Sequence, residues 1–146
     1  MDAGGFHIAA AAPEAVFQPV IDGLDSFSAS VHAPTYHEEH YALALRDSAQ
    51  QVQGGLVGKF VWDWLNINYL WVAEGLRGQA FGQQLLHRAE HEARQRNCAG
   101  LFVWTQSWQA PGFYAKCGFT PAVTLPDFPK GHQRIGLVKK LSGQGA

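Results

Sequence analysis

An apolar strand pattern at residues 67–72 runs through a loop of small residues straight into a helical pattern from Phe81, and a second apolar run follows at residues 101–105. Strand, helix and strand in that order make a crossover whose two strands lie parallel in one sheet with the helix over them. Upstream the pattern is different. Residues 41–46 and 52–65 read as strands, with turns at residues 47–49 and at Asn66, so that with residues 67–72 they form an antiparallel meander. Gly54, Gly55 and Gly58 point to a bulge early in the long strand. The two patterns together predict an α/β (α+β) fold with a mixed, mostly antiparallel central sheet flanked by helices.

The remaining elements fit around that sheet. A short strand is expected near residues 6–9, then a helix from Pro13 to the serines at 26–30, in which Ala15, Val16, Val20, Ile21 and Leu24 recur at helical spacing. Residues 32–40 are polar and contain Pro34, which reads as a loop or a broken turn. In the helix after Gly78, Phe81, Leu85, Leu86, Ala89 and Ala93 share one face, and Gln83, His87, Glu90, His91 and Arg94 share the other. Residues 97–100 end it, residues 110–116 form a short helix closed by Gly118, and residues 134–141 are a last strand. At 146 residues the chain suits one domain, 1–146, with residues 1–5 and 142–146 as loose tails.

Charge is unevenly placed. No Lys or Arg precedes Arg46, while Asp2, Glu14, Asp22, Asp25, Glu38 and Glu39 do; the rest of the chain carries eleven basic and six acidic residues. A net charge of −1 is too low for a nucleic-acid binder, and the split suggests two ligand surfaces of opposite preference. At 47% hydrophobic the chain can build a core. The run at residues 8–12 lacks the basic flank and length of a signal peptide, and no stretch is long enough to cross a membrane. Cys98 and Cys117 form no CxxC pair, so the chain reads as a cytoplasmic protein with two reduced thiols.

The chemistry is concentrated at residues 70–86. Small residues at Gly78, Ala80 and Gly82 let backbone N–H groups converge at a helix start, a natural seat for a phosphate or pyrophosphate, and Arg77 adds a cation. The loop lacks the Gly-Lys-Ser/Thr of a Walker motif and the G-x-G-x-x-G of dinucleotide folds. Residues 77–82 resemble the Arg/Gln-x-x-Gly-x-Gly/Ala pyrophosphate loop of the GNAT superfamily of acetyl-CoA-dependent N-acyltransferases, with Ala80 where glycine is usual. Residues 107–119 resemble the Asn-x-x-Ala-x-x-x-Tyr-x-x-x-Gly-Phe segment of the same superfamily, with Tyr114 on its tyrosine and Ser107 in place of its asparagine.

The resemblance spans residues 41–141, and residues 70–72, 108–110 and 127–132 also look like a small prokaryotic branch of the superfamily whose acceptors are mostly unassigned. It implies splayed strands at the site and acetyl-CoA as co-substrate, with no metal. Leu70, Trp71 and Val72 would pair with its pantetheine arm, Arg77, Gly78, Gln79, Ala80, Phe81, Gly82 and Gln83 would hold its pyrophosphate, and Ser107 and Tyr114 would complete the site. It further implies the Val72 N–H as oxyanion donor, Tyr114 as general acid on the leaving sulfur, and a homodimer.

The acceptor is expected to be a small-molecule amine or a protein amino group. Trp62, Trp64, Tyr69 and Trp71 are candidates for its pocket, with Asp127 and His132, and the acidic segment before Tyr41 for an opposite wall. No general base stands out; Glu74, Asp63, Asp127, His132 and a water chain are all open. Two further readings compete. One is an acyl-CoA-binding module without turnover. The other is a zinc hydrolase, since His87, Glu90 and His91 fit H-x-x-E-H, but no third acidic ligand follows except Asp127. His37 and His40 flank a second short pattern that reads as loop surface.

Overall fold

The computed structural model describes residues 2–141, arranged as two compact units, Met1–Tyr36 and His37–Ala146. In the first unit β1 (Asp2–Ala3) pairs antiparallel with β2 (Phe6–His7) across a turn at Gly4 and Gly5. The tail expected at residues 142–146 lies outside the described residues. Helix α1 (Pro13–Ser30) starts on Pro13, whose missing N–H is no loss at that position, and runs through Pro19.

The second unit holds one six-stranded sheet in the order β3-β4-β5-β6-β8-β7. Its strands are β3 (Glu38–Arg46), β4 (Val52–Val61), β5 (Trp64–Val72), β6 (Gly100–Gln106), β7 (Thr120–Pro126) and β8 (Gln133–Lys140). Only β5 and β6 run parallel, joined by helix α2 (Phe81–Gln95) as the crossover requires. The core lies between α2 and one sheet face, where Leu56, Leu65, Ile67, Leu101, Val103 and Leu137 are sealed from solvent. Ala89 and Ala93 are fully buried on α2, small enough for the helix to lie close on the strands.

Several boundaries differ from expectation. Residues 38–40 are not loop: Glu38 pairs with Val61 and His40 with Lys59, extending β3 along the sheet edge. The turn expected at Asn66 lies at Trp62 and Asp63, where Trp62 adopts φ 47° and its N–H donates to the His37 carbonyl (3.1 Å). Asn66 is an ordinary strand residue opposite Lys59. β7 had no sequence signal because Pro121 and Pro126 break its pattern. Proline lacks a donor for the ladder, and β7 is an edge strand with its irregularity between Pro121 and Val123.

Two bulges shape the sheet. Gln53 is the extra residue where Leu45 pairs with Gly54 and Arg46 with Val52, the early bulge the glycines announced. The second is on β5: Val57 pairs with Tyr69 and Gly58 with Ile67, leaving Asn68 unmatched. Gly58 is needed there because a Cβ would run into the Asn66 carbonyl oxygen. Past this bulge β5 leaves β6. Their pairing covers Trp64 to Ile67 against Gly100 to Val103 and goes no further.

Candidate active site

Where β5 and β6 part, a cleft of about 750 Å³ opens. One wall is Leu70, Trp71 and Val72 at the end of β5. The rim is Arg77, Gly78, Ala80, Phe81, Gly82 and Gln83. The opposite wall is Gln109, Ala110, Phe113 and Tyr114, which belong to helix α3 (Pro111–Lys116) and the turn before it.

The free edge of β5 can be oriented from one hydrogen bond. The Ala73 N–H donates to the Gln53 carbonyl on β4 (2.7 Å), so by the alternation of strand backbone groups the Val72 N–H and carbonyl turn to the other edge, the one β6 has left. Arg77 reaches back to that carbonyl with its Nε. A 3₁₀ turn, Glu74–Leu76, carries the chain from Val72 to Arg77.

The start of α2 is built for an anion. Gly78 (φ 82°) and Ala80 (φ 65°) are both left-handed, and Ala80 is the N-cap without a side-chain hydrogen bond. The first ladder bond is Gln84 N–H to the Ala80 carbonyl (3.0 Å), so the N–H groups of Phe81, Gly82 and Gln83 have no partner within the helix. Gly82 has a packing role as well: a Cβ there would stand 3.2 Å from the Phe113 ring, so its absence lets α3 close on α2.

Tyr114 is 7% exposed and stacks edge-on with Phe113 and Phe119. Burial, with a smaller contribution from the Cys117 sulfur, pushes its hydroxyl up to about 12. Its phenol is therefore neutral and able to donate at any working pH.

The model of the acetyltransferase (GNAT) family matches residues 14–119. The chain belongs to that family. Among relatives of the GNAT chain, the blasticidin-S acetyltransferase of Streptomyces morookaense is 42% identical over 104 residues, 70% of this chain and 76% of that protein. The acetyltransferase Atu2258 of Agrobacterium fabrum is 36% identical over 99 residues, 68% of this chain and 72% of that protein. The crystal structure of an acetyltransferase from Bacillus cereus superposes with a TM-score of 0.83 at 28% identity, covering 93% of this chain and 98% of that one. The GNAT chain is an acetyl-CoA-dependent acyltransferase.

Not every expected residue of this acyltransferase lies at the cleft. The Ser107 hydroxyl accepts the Gln133 N–H (3.1 Å), and its own N–H donates to the Gln133 carbonyl (2.8 Å), so Ser107 continues the pairing of β6 with β8. The cleft presents Gln109 instead, whose Oε1 accepts the Gln106 N–H (2.9 Å); nothing in the linear pattern separates these two polar residues. Gln79 is exposed and outside the lining. Glu74 is an exposed residue of the 3₁₀ turn.

The acceptor candidates are scattered. Trp62 and Trp64 sit at the closed end of the β5/β6 pair, roughly 20 Å along the strand from Trp71. Trp64 packs there over Gly100, where a Cβ would meet its ring at 2.8 Å. Tyr69 and Trp71 are 75% and 53% exposed near the open end. Asp127 and His132 belong to the turn between β7 and β8: the Asp127 carboxylate accepts the Gly131 N–H (3.2 Å), and the His132 ring meets Trp108 edge-on at 4.9 Å. Asp63 is exposed in the β4/β5 turn.

The acidic wall is spent on ion pairs. Glu38 contacts Lys59 (2.8 Å) and Glu39 contacts Arg96 (2.9 Å), whose hydrogen bond and charge hold the Glu39 carboxyl below its ordinary value. In the H-x-x-E-H segment, Glu90 is paired with Lys139 and Arg94 while His87 and His91 point outward. Among the described residues no group of three metal-ligating side chains comes together. Both cysteines are free thiols, and burial raises each above its ordinary range.

Proposed function

We propose that this chain is an N-acetyltransferase that moves the acetyl group of acetyl-CoA directly to the primary amine of a small molecule, with both substrates bound at once. The observation that carries this reading is the β5 edge that β6 leaves beyond Ile67, beside the N–H groups that start α2 with no partner within the helix. An extended amide chain such as pantetheine pairs with an open edge as an added strand would. A pyrophosphate suits the N–H groups of Gly82 and Gln83 and the Arg77 guanidinium.

Acetyl-CoA supplies the thioester; the chain supplies position and charge stabilisation. The Val72 N–H is the donor for the oxyanion that forms on the carbonyl. Tyr114 acts on the leaving sulfur, and the value of about 12 refines how. An ordinary thiol near 8.5 lies more than three units lower, so outright proton transfer costs on the order of 5 kcal/mol. Tyr114 therefore stabilises the departing thiolate by a hydrogen bond, and the thiolate takes its proton from solvent. Among the described residues no carboxylate or imidazole lines the cleft, so water carries off the proton of the attacking amine. The relative named for blasticidin-S supports a small-molecule acceptor.

The test is thiol release from acetyl-CoA with a panel of amines that includes blasticidin-S, with the acetylated product weighed by mass spectrometry. Amine-dependent release is expected. Tight acetyl-CoA binding with no transfer to any amine would overturn the enzyme in favour of a binding module.

A further inference from the structure

α2 carries the anion-binding loop at its N-terminus and α3 carries Tyr114, so the width of the cleft is set by how these two helices are held together. At their far ends stands one side chain, Lys139 of β8. Its Nζ lies 2.6 Å from Oε1 of Glu90 on α2 and donates across 2.8 Å to the carbonyl of Cys117, the residue that ends α3. The other Glu90 oxygen is held by Arg94, with Nη2 at 2.9 Å and Nε at 3.0 Å. Burial alone would raise the Glu90 carboxyl, but the hydrogen bonds and charges of Lys139 and Arg94 reverse this and bring it below its ordinary range.

The contact is close to Tyr114. Cys117 donates its own N–H to the Tyr114 carbonyl (3.0 Å), so Lys139 is one peptide unit from the backbone that bears the phenol. α3 has only six residues, too few to hold its axis unaided, and a cation on its last carbonyl opposes its dipole. The chain makes room for this lysine at Gly118 (φ 94°), where a Cβ would stand 3.0 Å from both Cε and Nζ of Lys139.

We propose that Lys139, clamped by Glu90, is a positioning residue that acts through Tyr114, fixing the phenol against the thioester sulfur. The proposal rests on the role given to Tyr114 above. Lys139→Met is expected to lower kcat about tenfold while KM for acetyl-CoA stays within about twofold, Glu90→Gln to lower it less, and Lys139→Arg to restore most of it. The deciding measurement is a double-mutant cycle with Tyr114→Phe: where the phenol is already absent, Lys139→Met should cost no further turnover. Losses that multiply in the double variant, or a raised KM with unchanged kcat, overturn the proposal. If Lys139→Met does not fold, the same cycle is run with Glu90→Gln. Tyr114→Phe with full kcat refutes the Tyr114 role itself, whereas a low kcat for Tyr114→Phe beside a normal one for folded Lys139→Met refutes only the clamp.

Discussion

The Nε of Arg77 donates to the carbonyl oxygen of Val72 across 3.1 Å. This bond folds the loop back onto the strand it has just left, so the cation suited to a pyrophosphate is anchored to the residue proposed as oxyanion donor. Arg77→Gln is expected to raise KM for acetyl-CoA about tenfold, a change of ~1.4 kcal/mol. kcat should fall as well, by a smaller factor, because Val72 loses its tether. Titration of CoA by calorimetry checks the first effect, and an unchanged affinity would remove Arg77 from the site.

For Tyr114 the sign of the pH effect follows from its raised value. The folded chain keeps the phenol protonated up to about 12, while an unfolded tyrosine ionises near 10. The stability it contributes is therefore complete below pH 10 and is lost as pH rises from there to about 12. The loss amounts to about 2 to 3 kcal/mol. Denaturant unfolding at pH 9 and pH 11.5 should show wild type losing more than Tyr114→Phe, and equal losses would place the phenol in water.

Ala80 holds a left-handed conformation at φ 65° that costs an L-residue about 1–2 kcal/mol. Ala80→Gly removes that strain and returns part of the gain through a more mobile unfolded chain, so stability should rise by about 0.5 kcal/mol. Ala80→Val should lower it by 1 kcal/mol or more, about. Thermal melts of the two variants decide this; a stabilising valine would mean that the turn at residue 80 relaxes.

Glu38 and Glu39 face Lys59 and Arg96 across the sheet edge and α2. Replacing both with glutamine is expected to leave the acceptor's KM unchanged and to lower the melting point slightly at low salt, with the difference vanishing in 1 M salt. A raised KM for cationic amines alone would return these carboxylates to the acceptor site.

What could be read from the chain alone follows from where its signals are local. α2 was legible nearly to the residue because Leu85, Leu86, Ala89 and Ala93 mark its buried face and Asn97 (φ 57°) its end. The loop before it was read from the resemblance of residues 77–82 to a family motif, since small residues at a helix start have packing uses as well, as Gly82 does against Phe113. Gln109 was not: its place at the cleft depends on Ser107 being drawn into the β6/β8 ladder, a contact between residues far apart in the chain. The ion pairs of Glu38, Glu39 and Glu90 were hidden for the same reason. The turn at Trp62 was hidden by its residue type, since tryptophan favours strands and nothing in the local sequence announces its left-handed φ of 47°.

The unmatched Asn68 has an effect beyond opening the strands. Before it the odd-numbered residues of β5, Leu65 and Ile67, point inward; after it the even-numbered ones, Leu70 and Val72, are the more covered, and Tyr69 and Trp71 are turned out. The bulge works as a parity switch. Deleting Asn68 would bring Tyr69 directly after Ile67 and keep the faces of Tyr69 to Val72 and their pairing with β4, so what it would remove is the bulge itself, the local kink past which β5 leaves β6. One asparagine with no substrate to touch thus stands where the end of the strand parts from its neighbour.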